Sequence, residues 1–108
     1  MNNNSADIIS FPINNGRHFI HKDEIIYCKA DGNYTRIIVV DEVIMASRNI
    51  QKIEEILGDG FFRCHKSYLI NLNYIKEFKM DENAIILKNN DIVELSRRKR
   101  KEFREIFQ

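Results

Sequence analysis

The chain has 108 residues, of which 44% are hydrophobic and 31% charged, a composition typical of a folded domain and not of a disordered segment. At this length we expect one domain with a substantial core. The longest apolar run, residues 37–40, is far shorter than the ~18 residues of a membrane helix. Residues 1–5 lack the pattern of a secretory signal, and two cysteines are too few for a disulfide scaffold. We therefore expect a cytoplasmic protein.

The net charge of +1 conceals an uneven distribution. Residues 1–57 contain six Lys or Arg and eight Asp or Glu, whereas residues 58–108 contain eleven and eight. Five of those eleven cations are consecutive, at residues 97–101. A protein of nearly neutral charge can therefore present a basic pole.

Short β-rich segments separated by Gly and Asx residues predict a mainly β chain. The segments predicted to be strands are residues 7–13, 17–21, 24–30, 34–40, 43–47, 61–65, 74–80, 84–88 and 92–95. Asp31-Gly32 between two of them predicts a hairpin. Residues 67–72 are predicted to form a tight turn or one helical turn.

Two helices complete the prediction. Asn49 is the expected N-cap of the first helix, and Gly58 is expected at its C-terminal end. Its apolar face comprises Ile50, Ile53, Ile56 and Leu57. Ser96 is the expected cap of the second helix, whose apolar positions are Phe103, Ile106 and Phe107. Because helices and strands do not alternate, a parallel nucleotide-binding sheet is not expected.

The sequence contains no recognisable catalytic or metal-binding pattern. Glycine-rich phosphate loops and nucleophile elbows are absent, and the cysteines and histidines lack metal-ligand spacing. On a strand, Cys64 and His65 point to opposite faces, so they do not form a thiolate–imidazole pair. We expect Phe62 and Cys64 to face the core, and we expect no disulfide, metal, cofactor or enzymatic activity.

Three segments combine cations with hydroxyl or amide groups, at residues 33–36, 63–67 and 96–101. Arg suits guanine, Asn suits adenine, hydroxyls suit either base, and Lys suits phosphate. The candidate DNA-binding residues are Asn33, Thr35, Arg36, Arg63, His65, Lys66, Ser67, Arg97, Arg98, Lys99 and Lys101. Taken alone, each segment is weak evidence for binding, because a basic run at a C-terminal helix is more often only a solvated face.

The sequences IIYCKADGNYTRI at residues 25–37, FFRCHKSYLINLNYIKEF at 61–78 and VELSRRKRKEF at 93–103 resemble the LytTR family of bacterial DNA-binding domains. The pattern F-x-R-x-H-x-S-Y-x-x-N in the middle stretch is the most specific. The resemblance implies an elongated, mainly β fold of small packed antiparallel sheets with two or three short helices. Residues 25–108 then form the DNA-binding domain, and residues 1–24 are an N-terminal strand segment of the same domain.

The resemblance also implies a function. The chain would bind double-stranded DNA sequence-specifically at paired repeat sites, with a second copy on the adjacent site. It would act as the output domain of a bacterial response regulator in a two-component system, and would not associate with membranes. The chain starts at Met1 without a receiver domain, so it is either a stand-alone regulator or the C-terminal part of a longer one.

Some roles follow from matching the family's motifs. Thr35 occupies a position where some members read bases with an imidazole, and Arg36 keeps the adjacent cation. Lys66 replaces a turn residue that is often Asn or Arg, and Arg98 matches the arginine after the serine. His65 is assigned equally to phosphate contact or to a structural hydrogen bond. Four aromatic, apolar or amide side chains are assigned to the sheet, the core or a turn: Tyr34, Tyr68, Leu69 and Asn71.

Other interpretations remain open at this level. A β-rich protein-interaction module could use the basic pole for solubility. An RNA-binding domain usually exposes stacking aromatics on a sheet, whereas the aromatics here occupy positions that look buried. A metal-dependent enzyme is the third alternative, which metal analysis of the purified protein would test.

Overall fold

The computed structural model describes residues 7–108, which form ten strands and two α-helices. The strands are β1 (Ile8–Ile13), β2 (Gly16–His21), β3 (Tyr27–Asp31), β4 (Tyr34–Ile38), β5 (Val43–Ala46), β6 (Phe61–His65), β7 (Tyr68–Asn71), β8 (Ile75–Lys79), β9 (Ala84–Leu87) and β10 (Ile92–Glu94). The helices are α1 (Ile50–Leu57) and α2 (Arg100–Ile106). The predicted mainly β class is confirmed.

The strands form three antiparallel sheets. Their orders are β1-β2, β5-β4-β3-β7-β6 and β10-β9-β8. The pairing of β3 with β7, which joins Lys29 to Tyr68, places two sequence-distant hairpins in one five-stranded sheet. The molecule measures 42 × 38 × 24 Å, so it is much thinner in one direction than in the other two. The predicted small packed sheets are confirmed.

One face of the five-stranded sheet packs against α1 and the β1–β2 hairpin. The buried residues of this first core include Phe11, Ile20, Cys28, Ile37, Ile44, Ile50, Ile53, Leu57 and Leu69. The side chain of Asn49 caps α1 by accepting from the Lys52 N–H at 2.9 Å, and Gly58 ends it with a φ of 65°. Both predicted helix ends are confirmed, and α1 fixes the segment that precedes it.

The second core lies between the other face of this sheet, the three-stranded sheet and α2. Its buried residues include Phe62, Cys64, Ile70, Ile85, Leu87, Val93 and Phe103. Phe62 and Cys64 therefore face the core as predicted. Cys28 and Cys64 are free thiols in different cores, which agrees with the prediction that no disulfide joins them.

Three predictions about individual elements are wrong. Residues 68–71 form strand β7, not a turn, because Leu69 is buried in one core and Ile70 in the other.

Ser96 does not cap the last helix, because α2 begins only at Arg100, after Lys99, and the Ser96 side chain makes no capping hydrogen bond. Of the apolar positions predicted for this helix, Phe103 is buried, whereas Ile106 and Phe107 are 40% and 55% exposed. This helix spans seven residues, of which only Phe103 is fully buried, so its final turn extends beyond the core.

Candidate nucleic-acid interface

The first two candidate segments are neighbours in the structure. The β3–β4 turn follows Asp31, and the β6–β7 turn precedes Tyr68. The Ala30 N–H donates to the carbonyl oxygen of Ser67 at 2.9 Å, which ties the two turns together. They therefore lie at the same end of the five-stranded sheet.

The third segment reaches the same end beside β6. The Ser96 N–H donates to the Cys64 carbonyl oxygen at 2.9 Å. The Nε2 atom of His65 lies 3.7 Å from Oε1 of Glu94, at the end of β10. Residues 96–101 thus begin next to the β6–β7 turn, so all three candidate segments share one end of the sheet.

The structure adds a fourth segment, which sequence reasoning did not identify. The Thr35 hydroxyl donates to the Arg48 carbonyl oxygen at 2.8 Å, which holds the β5–α1 connection at this end. The Arg48 side chain is exposed. In the sequence, the position of Arg48 just before the predicted N-cap Asn49 could have indicated that it is exposed. We call residues 31–36, 47–49, 65–67 and 96–101 together the basic end.

Thr35 itself does not belong to the contact surface, which corrects its assignment as a DNA-binding residue. It is fully buried, and its hydroxyl is used by the Arg48 carbonyl. The reason is strand alternation, because Thr35 shares the buried face of β4 with Ile37. Tyr34 and Arg36 point to the opposite face, and Tyr34 is 44% exposed.

Arg63 builds the β6–β7 turn. Its guanidinium donates to the carbonyl oxygens of His65 and Lys66 at 3.1 and 2.6 Å and to Glu54 Oε1 at 2.9 Å. The side chain is only 20% exposed. Arg63 is therefore committed to the fold in this structure, which corrects its prediction as an outward-facing DNA contact.

His65 also supports this turn. Its Nδ1 accepts a hydrogen bond from the Ser67 N–H at 3.0 Å, and its ring lies 5.6 Å from the Tyr68 ring. Of the two roles considered for His65, the structure displays the structural hydrogen bond. Ser67 is half-buried, and Lys66 is the exposed cation at the tip of the turn.

The remaining candidates differ in how free their side chains are. Asn33 is exposed in the β3–β4 turn, where Gly32 takes a left-handed φ of 62°. Arg36 is 52% exposed but pairs with Asp31 at 3.0 Å. Lys99 folds back, with Nζ 3.4 Å from Glu102 Oε1 and 5.7 Å from the centre of the Phe62 ring. Three cations are exposed at the start of the last helix: Arg97, Arg98 and Lys101.

The opposite end of the same sheet is acidic. A cavity of about 660 Å³ there is lined by the β4–β5 turn and by the 3-10 turn Lys22–Glu24. Its carboxylates are Asp7, Asp23, Glu24, Asp41 and Glu42. The molecule is therefore polarised along its strands, and a polyanion is attracted to the basic end.

Residues with perturbed pKa values lie outside the basic end's exposed surface. Burial raises the pKa of the Cys64 thiol to about 12 and raises the pKa of the Cys28 thiol even further. Burial and the hydrogen bond to Asp91 raise the pKa of Tyr27. Each of these groups is held in its protonated form, which is the opposite of an activated nucleophile.

Exposed cations and an amide on the turns at one end of a small β domain make a surface suited to nucleic acid. Residues 15–108 match the family of LytTr DNA-binding domains. The chain therefore belongs to this family. Among residues 7–108, no helix is long and apolar enough to span a bilayer.

Two curated relatives are transcriptional regulatory proteins. The chain is 34% identical to NatR of Bacillus subtilis over 65 residues, which are 56% of this chain and 27% of NatR. It is 34% identical to YpdB of Escherichia coli K12 over 89 residues, which are 78% of this chain and 36% of YpdB. The chain thus spans about a third or less of these relatives' lengths.

A solved structure shares the fold. The LytTr DNA-binding domain of a putative methyl-accepting/DNA response regulator from Bacillus cereus superposes with a TM-score of 0.78 and 22% sequence identity. The match covers 93% of this chain and 95% of that one. This agreement supports the arrangement of sheets described above.

Proposed function

We propose that the chain binds duplex DNA sequence-specifically through its basic end, as the output domain of a bacterial response regulator acting in transcription. The observation that carries the proposal is the convergence of four exposed, donor-bearing turns at one end of one sheet. The relatives named as transcriptional regulatory proteins support the regulatory role. In this proposal the protein acts by binding and not by catalysis. It acts in the cytoplasm.

Within this proposal the side chains divide into two roles. Arg98 and Asn33 are exposed and read base edges in the grooves, since Arg suits guanine and Asn suits adenine. Exposed cations hold phosphates and set the register: Arg48, Lys66, Arg97 and Lys101. Arg63 and His65 act indirectly, by shaping the turn that carries Lys66 and Ser67.

The target is proposed to be a pair of repeated sites, each bound by one copy of the chain. Selection of bound sequences from a random duplex pool tests this directly. We expect enrichment of one short motif, repeated at a fixed spacing. Recovery of unenriched sequences by the wild type would contradict specific binding, and enrichment of an unrepeated motif would contradict the paired sites.

A further inference from the structure

An apolar groove of about 480 Å³ lies between β8 and α2, and of the basic end's residues only Arg100 lines it. Ile75, Phe78 and Met80 line one side, and Phe103 and Phe107 line the other. Met80 is 68% exposed and Phe107 is 55% exposed. Clustered exposed apolar side chains of this kind mark interaction sites.

The groove is bordered by cations. Lys76, Arg100 and Arg104 line it together with one carboxylate, Glu77, which lies 3.7 Å from Lys79. Within residues 7–108, neither Arg100 nor Arg104 has a carboxylate at ion-pair distance. The groove therefore suits an occupant that combines an apolar side chain with negative charge.

The acidic end of the sheet presents that combination. In the β4–β5 turn, Val40 is 78% exposed and is followed by exposed Asp41 and Glu42. The Val39 N–H donates to the Glu42 carbonyl oxygen at 3.1 Å, which closes the turn and fixes its shape. In the part of the chain that the structure describes, Asp41 and Glu42 form no ion pair.

The two surfaces are separate within one chain, since the groove lining includes no residue of the β4–β5 turn and the acidic cavity lining includes no residue of α2. Strand β5 is one edge of the five-stranded sheet and β6 is the other. Helix α2 packs beside β6, with the Phe103 and Phe62 rings 5.8 Å apart. The β4–β5 turn therefore does not occupy the groove of its own chain, but the turn of one copy can occupy the groove of another in a head-to-tail contact.

We propose that the groove between β8 and α2 binds the β4–β5 turn of a second copy of this chain. Val40 enters the groove, and Asp41 and Glu42 face Arg100 and Arg104. The contact is head-to-tail and uses Arg100 but no other residue of the basic end.

The expected affinity is low. A single turn in a groove buries much less than the ~1,000 Å² of a stable interface. Two copies held side by side reach effective concentrations on the order of 1 mM, at which such a contact forms. The inference does not depend on DNA binding, since the complementary surfaces exist in the free protein.

Backbone amide NMR spectra of the free protein, recorded up to about 1 mM, test the contact. We expect concentration-dependent shifts at residues 39–42 and along the groove together. Arg104→Glu should abolish both sets of shifts, and so should Asp41→Lys. Mixing these two variants should restore shifts at the turn of the Arg104→Glu variant and at the groove of the Asp41→Lys variant, because these two surfaces are unmodified and can still bind each other.

Lys52→Glu is the matched control, because Lys52 is exposed on α1 and the net charge changes equally. It should leave the shifts in place. The proposal is overturned if no shifts occur at about 1 mM, if they occur on only one surface, or if Lys52→Glu removes them as Arg104→Glu does. Failure of the mixed variants to restore them would also overturn it.

Discussion

Arg98 is exposed in the 3-10 turn Arg97–Lys99 that leads into α2, whereas Lys101 is exposed within the helix. A guanidinium can contact two acceptors of guanine at once. We expect Arg98→Ala to cost about 1–3 kcal/mol on the selected DNA site and much less on random DNA. Lys101→Ala should weaken binding to both DNAs equally. These affinities are measured by fluorescence anisotropy.

If the basic run acted only as diffuse charge, Arg98→Ala would lower both affinities by the same factor. Arg98→Lys would then restore both. That pattern would contradict a base-reading role for Arg98 and leave DNA binding intact.

Arg63 gives a different prediction, because it binds two turn carbonyls and Glu54. Removing a partner from part-buried polar groups costs about 1–3 kcal/mol. We expect Arg63→Gln to lower the free energy of unfolding by this amount and to weaken DNA binding without changing its salt dependence. Urea unfolding and salt titrations measure both. Unchanged stability with a salt slope reduced by about 1 would instead show a direct phosphate contact.

The two thiols predict a loss of stability at high pH. Their folded-state pKa values are raised by burial, so the folded chain keeps protons that the unfolded chain releases above its normal thiol pKa. Their stabilising contribution is therefore complete at neutral pH and falls above about pH 8.5, by about 1.4 kcal/mol per pH unit for each thiol.

Urea unfolding between pH 7 and 10 checks this, with Cys64→Ala as the comparison. Because the variant lacks one of the two thiols, the stability difference between it and the wild type should shrink as the pH rises. A constant difference would contradict the effect of burial on Cys64. Alkylation of neither thiol in the native protein, and of both after denaturation, would support the absence of a disulfide.

At the scale of single residues, part of the site could be predicted from sequence. Residue type and position identified Lys66 and Arg98 as exposed cations, and both are exposed. Strand alternation already placed Thr35 with Ile37 on the buried face, so its burial could have been predicted. The hydrogen bonds that hold the Arg63 side chain in place could not be predicted, because its partner Glu54 lies in a different element, α1.

At the scale of elements, the β1–β2 hairpin bears on the proposed domain boundaries. Residues 1–24 are proposed to belong to the same domain, since Phe11 is 1% exposed and lies in the core beneath α1. Phe11→Ala should cost about 3–5 kcal/mol in a single unfolding transition. Phe19 on the same hairpin is 67% exposed, so Phe19→Ala should change little.

Chemical unfolding followed by circular dichroism measures both variants. If Phe11→Ala left the main transition unchanged, the hairpin would be an independent attachment to the domain. If Phe19→Ala cost as much as Phe11→Ala, burial in the shared core would not explain the effect.

Elements whose ends carry typical capping or turn residues could be predicted from the sequence. Asn49, Gly58 and Asp31-Gly32 marked the ends of α1 and the β3–β4 hairpin correctly. Strand β7 was missed for a physical reason, because it lies between β3 and β6 and both of its faces are buried. Such a strand has no alternating pattern, and its preceding turn, Lys66-Ser67, contains no Gly or Pro.

At the scale of the whole molecule, the basic end exists because distant hairpins pair. The contact between Lys29 and Tyr68 brings the β3–β4 and β6–β7 turns together, and the Ser96 hydrogen bond adds the start of α2. Sequence patterns identify strands but not this register, so the convergence of the turns could not be predicted from the sequence. The structure brings the three predicted segments to one end of the sheet.

The measurement that tests the central claim most directly is the salt dependence of binding to duplex DNA. Each neutralised phosphate contributes about 0.9 to the slope of log K against log salt, so roughly four to seven contacts predict a slope of about −4 to −6. Combined replacement of Arg48, Lys66 and Lys101 by Ala should make the slope shallower by about 3. Lys88→Ala should leave it unchanged, because Lys88 is exposed and its N–H donates to the Tyr74 carbonyl oxygen beside the acidic end. A flat titration, or an equal effect of Lys88→Ala, would contradict DNA binding through the basic end.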